Sequence, residues 1–123
     1  MLFAKIIRDA DKIDIFYESA EIFWNNEEEK VEQSKISEKI LKQFNQGEQI
    51  KKSKDIKLEP IEDIVFIIEF IYDINFKISF EIIKKANYIN RIFNRYNITD
   101  KFSKKAIEEI TKTANKYIEE KTK

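Results

Sequence analysis

The chain has 123 residues, of which 42% are hydrophobic and 37% are charged, and its basic and acidic residues balance to a formal net charge of zero. A balanced charge argues against nucleic acid as the main partner, because phosphate backbones are bound by net basic faces. The sequence contains no cysteine and no histidine, which excludes disulfides, thiolate metal ligands and histidine-based catalysis.

Turn-forming residues are scarce, since the chain contains one glycine and one proline. That composition disfavours a β fold and favours an all-α fold. The longest apolar run, residues 61–74, is interrupted by four acids and is too polar to span a membrane. The N-terminus lacks a signal-peptide pattern, because Arg8, Asp9 and Asp11 interrupt its apolar residues. We therefore expect a single helical domain over residues 1–123, in the cytoplasm, with no membrane partner.

The first predicted helix covers residues 3–24, where apolar residues recur at helical three-and-four spacing. Its main stripe consists of Phe3, Ile6, Ile7, Ala10, Ile13, Tyr17, Ala20 and Trp24. A second row beside it consists of Ile7, Asp11, Ile15 and Ile22. The two rows together make the helix apolar around most of its circumference, which predicts a central helix and draws Asp11 out of water.

A second helix is predicted to begin near Ser34 or Ser37 and to end at Gln46, where Gly47 is a suitable stop. Its core face would consist of Ile36, Ile40, Leu41 and Phe44. The polar residues 25–30 before it and the lysine-rich residues 49–59 after it lack helical periodicity, so we predict loops there.

The most hydrophobic stretch follows Pro60, which suits the first position of a helix, and Glu62 and Asp63 favour the positive end of its dipole. We predict this third helix over residues 61–74 and expect it to be the second pillar of the core. A strand is the competing interpretation for residues 64–68, but the length of the stretch and its spaced acids favour a helix.

Further helices are predicted towards the C-terminus. Residues 76–87 form one, with Asn87 suited to a left-handed end, and residues 88–96 form a short one. The last helix covers residues 100–120, with Thr99 as its cap and a narrow apolar stripe that should pack on one side only. The expected fold is therefore all-α, with about five helices.

Residues 8–14, Arg-Asp-Ala-Asp-Lys-Ile-Asp, resemble the last signature segment of the HD-domain superfamily, the helical metal-dependent phosphohydrolases. A weaker similarity at residues 70–76 extends the resemblance over about residues 3–96. In that family a histidine, a later His-Asp pair and a distant aspartate surround a divalent metal. The distant aspartate lies in an Ala-Asp-Lys/Arg-Leu context, and residues 10–13 match it with isoleucine in place of leucine. The resemblance implies that Asp11 is a metal ligand and that the complete enzyme acts on a nucleotide or another phosphoester.

The remaining metal ligands of that family lie upstream of the matching segment, and this sequence contains no histidine. The resemblance therefore implies the C-terminal part of a phosphohydrolase, without catalytic residues, bound cofactor or activity in this chain alone. The alternative is a non-catalytic helical domain that keeps the scaffold for protein interaction or oligomerisation.

The sequence allows more than one role for Asp11 and for the charged residues around it. Asp11 is either a metal ligand or an acid paired with Lys5 or Lys12, and Asp14, one turn away, is placed to support it. Asp9 is predicted to pair with one of the same lysines on a solvated face. The basic residues Arg8 and Lys12 either contact a substrate phosphate or cover the helix with their stems.

The first helix is apolar on more sides than the remaining helices can cover. Exposed apolar surface of that size favours self-association, most often through a two-fold contact. We therefore predict a homo-oligomer, with Phe3, Ile6, Ile7 and Ile15 at or near the contact.

Overall fold

The computed structural model describes residues 2–22, 28–47 and 58–123. These residues form seven α-helices and one 3-10 helix, with no strand among them. The elements are α1 (Leu2–Glu21), α2 (Glu28–Gln33), α3 (Glu38–Asn45), α4 (Pro60–Ile68), the 3-10 helix η1 (Glu69–Asp73), α5 (Lys77–Ala86), α6 (Tyr88–Asn94) and α7 (Lys101–Lys121). The predicted all-α class is confirmed, although about five helices was too low a count.

Two differences from the predicted elements account for the larger count. The short helix α2 lies partly in the predicted loop over residues 25–30, and the predicted helix over residues 61–74 divides into α4 and η1. Trp24 and most of the predicted loop over residues 49–59 lie outside the described residues.

Local signals at the helix ends explain where several elements begin and stop. Pro60 is the first residue of α4, and Glu59 and Glu62 form a capping box there. Asn87 separates α5 from α6 in the left-handed conformation, at φ 57°. The positions of Pro60 and Asn87 follow the predictions, but Thr99 does not cap the last helix. Asp100 does so, by accepting a hydrogen bond of 3.0 Å from the backbone of Ser103.

The core draws side chains from every described helix, and α7 contacts α3, α5 and α6. Its largest fully buried apolar side chains are Phe16, Phe44, Ile61, Val65, Ile68, Ile71, Ile83, Ile89, Ile92, Ile110 and Ile118. The predicted role of residues 61–74 as a pillar of the core is therefore confirmed. The expectation that the last helix packs on one side only is confirmed, because its buried residues form one stripe and its other side is exposed.

The first helix is peripheral, which corrects the prediction that it is the centre of the fold. Within α1 only Asp9 and Phe16 are buried, and its contacts are with α4, α5 and α6. Leu2, Phe3 and Ile7 are exposed. An apolar stripe shows which side chains favour burial, and here the neighbouring helices reach only the side of α1 that carries Asp9 and Phe16.

A buried carboxylate joins two helix starts near the middle of the fold. One oxygen of Glu62 accepts hydrogen bonds from the backbone (3.0 Å) and hydroxyl (2.9 Å) of Ser37, the N-cap of α3. The other accepts from the backbone of Glu59, at 3.0 Å. Glu62 therefore closes the first turn of its own helix and fixes the start of α3 beside it.

No described helix combines the length and the hydropathy that a membrane crossing requires.

Candidate functional site

Asp9 is the buried acid of α1, with 2% of its surface exposed. Its carboxylate accepts hydrogen bonds from the backbone N–H groups of Asn75 (2.9 Å) and Phe76 (3.0 Å). The side-chain amide of Asn75 donates to it at 3.0 Å, and the hydroxyl of Ser79 donates at 2.6 Å. These four donors supply the partners that a buried carboxylate needs.

The start of α5 explains why an acid is required at that place. The N-cap of α5 is Phe76, whose side chain carries no oxygen to accept a hydrogen bond. The first N–H groups of a helix lack partners within the helix, and they lie at its positive end. Asp9, from a different helix, accepts the N–H groups of Asn75 and Phe76, the two residues that lead into α5, and places a negative charge at that end. It therefore connects α1 to the start of α5.

The same contacts determine the protonation of Asp9. Burial raises the pKa of its carboxyl, but the hydrogen bonds from Ser79, Asn75 and Phe76 together outweigh burial and hold the pKa below the usual value of 3.8. The carboxylate is thus the charged form at neutral pH.

Asp11, the predicted metal ligand, lies on the exposed side of α1 together with Asp14. The expectation that Asp11 is drawn out of water is therefore wrong. Lys12 does not pair with Asp9 or Asp11, since its ammonium lies 2.7 Å from the carboxylate of Asp73. Arg8 is exposed as well.

Among the described residues, no three acids come close enough together to hold a metal ion. Asp11 as a metal ligand therefore stays a prediction, and these residues alone do not provide a ligand set for a divalent cation. No step of hydrolysis can be derived from one exposed carboxylate, because one ligand does not fix the position of a metal and its bound water.

The second half of α1 is held by aromatic and backbone contacts. The ring of Phe16 lies 6.4 Å from that of Phe70 and 6.5 Å from that of Tyr88, measured between centroids. The guanidinium of Arg95 donates a hydrogen bond to the carbonyl oxygen of Ser19. The helix is therefore attached from Asp9 onwards, and the turns before Asp9 have few described contacts.

Large apolar side chains are exposed on α1 and on the neighbouring helix α5. We name this surface the α1–α5 apolar face, and it consists of Leu2, Phe3, Ile6, Ile7, Tyr17, Ile78 and Ile82. Phe3 is 72% exposed and Ile78 is 60% exposed. Ile15, which was predicted to share a contact with Phe3, is half-buried and does not belong to this face.

An open cleft of about 730 Å³ lies between α6 and α7. Phe93, Tyr96 and Ile107 line it together with asparagine, lysine and glutamate side chains. None of the residues predicted to take part in a site lies there. The lining of the cleft does not indicate a class of ligand, because its lysines and glutamates alternate along the exposed surface of α7.

No family model, curated protein or solved structure shows significant similarity to this chain.

The sequence carries one signal that favours Asp9 over Asp11 as the functional acid of α1. Residues 75–79, Asn-Phe-Lys-Ile-Ser, begin a helix with phenylalanine at the N-cap and no local acceptor. A helix start of that kind needs an acceptor from elsewhere in the chain. An aspartate on a second amphipathic helix is a natural source.

Proposed function

We propose that this chain is a non-catalytic helical interaction module that associates with protein through the α1–α5 apolar face. The observation that carries the proposal is the exposure of seven large apolar side chains on two adjacent helices. Isolated exposed apolar residues are ordinary, but contiguous apolar patches of more than a few hundred Å² usually mark an interaction surface.

The position of the face supports the same proposal. Asp9 and Phe16 hold the later turns of α1 against the body of the protein, and the turns that carry Leu2, Phe3, Ile6 and Ile7 continue the same helix beyond that attachment. A surface that is fixed before binding loses less conformational entropy when a partner covers it.

The resemblance of residues 8–14 to the HD-domain phosphohydrolases stays a separate proposal. In it, Asp11 would be one metal ligand of a complete enzyme acting on a nucleotide or another phosphoester, with the remaining ligands outside these 123 residues. The exposed position of the Asp11 carboxylate leaves it accessible for that role. The arrangement of the described residues favours the interaction module.

An apolar dye such as anilinonaphthalene sulfonate tests the interaction module across a dilution series. We expect the wild type to bind the dye at the dilute end, where chains are separate, and the Ile6→Glu variant to bind markedly less. Phe102→Glu is the matched control, because Phe102 is a large apolar residue of α7, 41% exposed, outside the face. Equal dye binding by wild type and Ile6→Glu throughout the series would contradict the proposal.

A further inference from the structure

We infer that the partner covering the α1–α5 apolar face is a second copy of this chain, related by a two-fold axis parallel to the two helices. In this arrangement α1 of one copy lies over α5 of the other. The inference rests on the proposed function and adds the identity and orientation of the partner.

The helices α1 and α5 lie side by side and run in the same direction. Asp9 contacts Asn75 and Ser79 at the start of α5. Phe16, two turns further along α1, stacks on Tyr88 just beyond the end of α5. The two helices therefore form one layer, with the turns before Asp9 extending beyond the start of α5.

The exposed apolar residues of both helices lie on the same side of this layer. Successive residues of a helix are rotated by about 100° around its axis. With this rotation, the side chains of Leu2 and Ile6 lie on one side of the plane that contains α1 and α5. For two parallel right-handed helices, Ile78 and Ile82 project to that same side of α5. The opposite side of α5 carries Phe80, which is buried in the core. The apolar side chains thus form one continuous surface across two helices.

The size of the face matches what a dimer requires. With about 200 Å² for a large side chain, the exposed fractions of its seven residues correspond to roughly 750 Å². Stable protein interfaces bury about 800 Å² on each partner. A two-fold contact uses the same patch twice, so one face of this size is sufficient.

The two long edges of the α1–α5 apolar face, which we name the α1 rim and the α5 rim, carry different charges. The α1 rim has the exposed carboxylates of Asp11 and Asp14. The α5 rim has the exposed ammonium groups of Lys77 and Lys85, with Glu81 between them. Neither Asp14 nor Lys85 forms an ion pair with another described residue. The face is therefore acidic along one edge and mainly basic along the other.

This charge pattern selects the orientation of the second copy. An axis parallel to the helices places the α1 rim of each copy over the partner's α5 rim, so acids face lysines. An axis perpendicular to the helices would pair the two α1 helices antiparallel and bring acids over acids, which is unfavourable.

The positions of the charged residues along the helix axes also fit a two-fold axis that is parallel to the helices. Asp14 lies five residues after Asp9, and Lys85 lies six residues after Ser79, to which Asp9 is hydrogen-bonded. A two-fold axis parallel to the helices leaves every residue at the same position along that axis. Asp14 of one copy therefore faces the partner's Lys85.

Disulfide trapping between two single-cysteine chains tests the inference, since the natural chain has no cysteine. A tagged Asp14→Cys chain is mixed with an Lys85→Cys chain and oxidised, and the products are separated without reductant. We expect the mixed disulfide to form at least tenfold faster than the disulfide in a control mixture of Asp14→Cys with Lys105→Cys, whose cysteine lies on α7. Both substituted positions are exposed, so folding should be retained.

Three other results would contradict all or part of the inference. A preference for Asp14→Cys homodimers over the mixed disulfide would overturn the parallel axis and favour paired α1 helices. Cross-linking no faster than in the control, together with dye binding by the dilute chain that Ile6→Glu removes, would overturn the second copy as partner and leave the interaction module standing. Control-level cross-linking with no such dye binding would overturn both.

Discussion

The carboxylate of Asp9, on α1, accepts a hydrogen bond of 2.6 Å from the hydroxyl of Ser79, on α5, which lies 70 residues later in the chain. The same carboxylate accepts the backbone N–H groups of Asn75 and Phe76. One side chain thus connects the residues that lead into a distant helix to the helix that carries most of the exposed apolar residues.

Replacement of this acid should destabilise the fold. We expect Asp9→Ala to lower the free energy of unfolding at neutral pH by about 3 kcal/mol, because it leaves the buried hydroxyl of Ser79 and the part-buried N–H groups of Asn75 and Phe76 without their acceptor. Asp11→Ala is the matched control, since Asp11 is an exposed acid on the same helix, and its effect should stay within about 0.5 kcal/mol. Urea unfolding at pH 7 measures both changes. Equal effects at the two positions would contradict the role assigned to Asp9.

The contribution of Asp9 should also depend on pH. Its pKa is lower in the folded chain than the usual value of 3.8, so the unfolded chain binds the proton more tightly. The stabilisation is therefore fully present above about pH 4 and is lost as the pH falls through the folded pKa. We expect the difference in stability between wild type and Asp9→Asn to shrink steadily below pH 3.8 in acid titrations of unfolding. A difference that stays constant down to pH 2 would show that the charge of Asp9 does not matter.

A second buried carboxylate allows a comparable test near the core. Glu62 accepts hydrogen bonds from Ser37 and Glu59 at the starts of α3 and α4. We expect Glu62→Ala to cost about 2 kcal/mol, because two helix starts lose an acceptor at once. Glu108, an exposed glutamate of α7, provides the control, and Glu108→Ala should cost much less. Thermal unfolding followed by circular dichroism gives both values, and similar melting temperatures for the two variants would refute the assignment.

Much of the fold follows from local sequence signals. Pro60 at the start of α4 and Asn87 at the end of α5 act through their own backbone conformations, so a short window of sequence predicts them. The apolar run after Pro60 has helical spacing and is buried as predicted. The short helix α2 was missed because its six residues, all but one of them polar or charged, carry no readable period.

The environment of α1 could not be predicted in the same way. Asp9 and Asp11 are about 200° apart around a helix, so only one of them can face the neighbouring helices. Asp9 faces the neighbouring helices because the start of α5, which is distant in the sequence, needs an acceptor for its hydrogen bonds. The spacing of residues within α1 gives no sign of that need. Likewise, an apolar stripe shows what favours burial but not whether a neighbouring helix reaches it.

The chain should lack phosphohydrolase activity. We expect no hydrolysis of a nucleotide or a generic phosphodiester with Mg²⁺, Mn²⁺, Ni²⁺ or Co²⁺, because among the described residues no three acids can share a metal ion. Colorimetric phosphate release under each metal is the measurement. Metal-dependent turnover that Asp11→Ala abolishes, while Asp14→Ala retains it, would overturn this expectation and support the resemblance to HD-domain enzymes.

Sedimentation velocity tests the central claim, association through the α1–α5 apolar face, most directly. We expect the wild type at about tens of micromolar to sediment as a dimer in equilibrium with monomer, and a Phe3→Glu, Ile6→Glu double variant to sediment as a folded monomer. Phe102→Glu, which replaces an exposed apolar residue outside the face, should behave as the wild type. A wild type that remains monomeric and well folded throughout this concentration range would contradict the account.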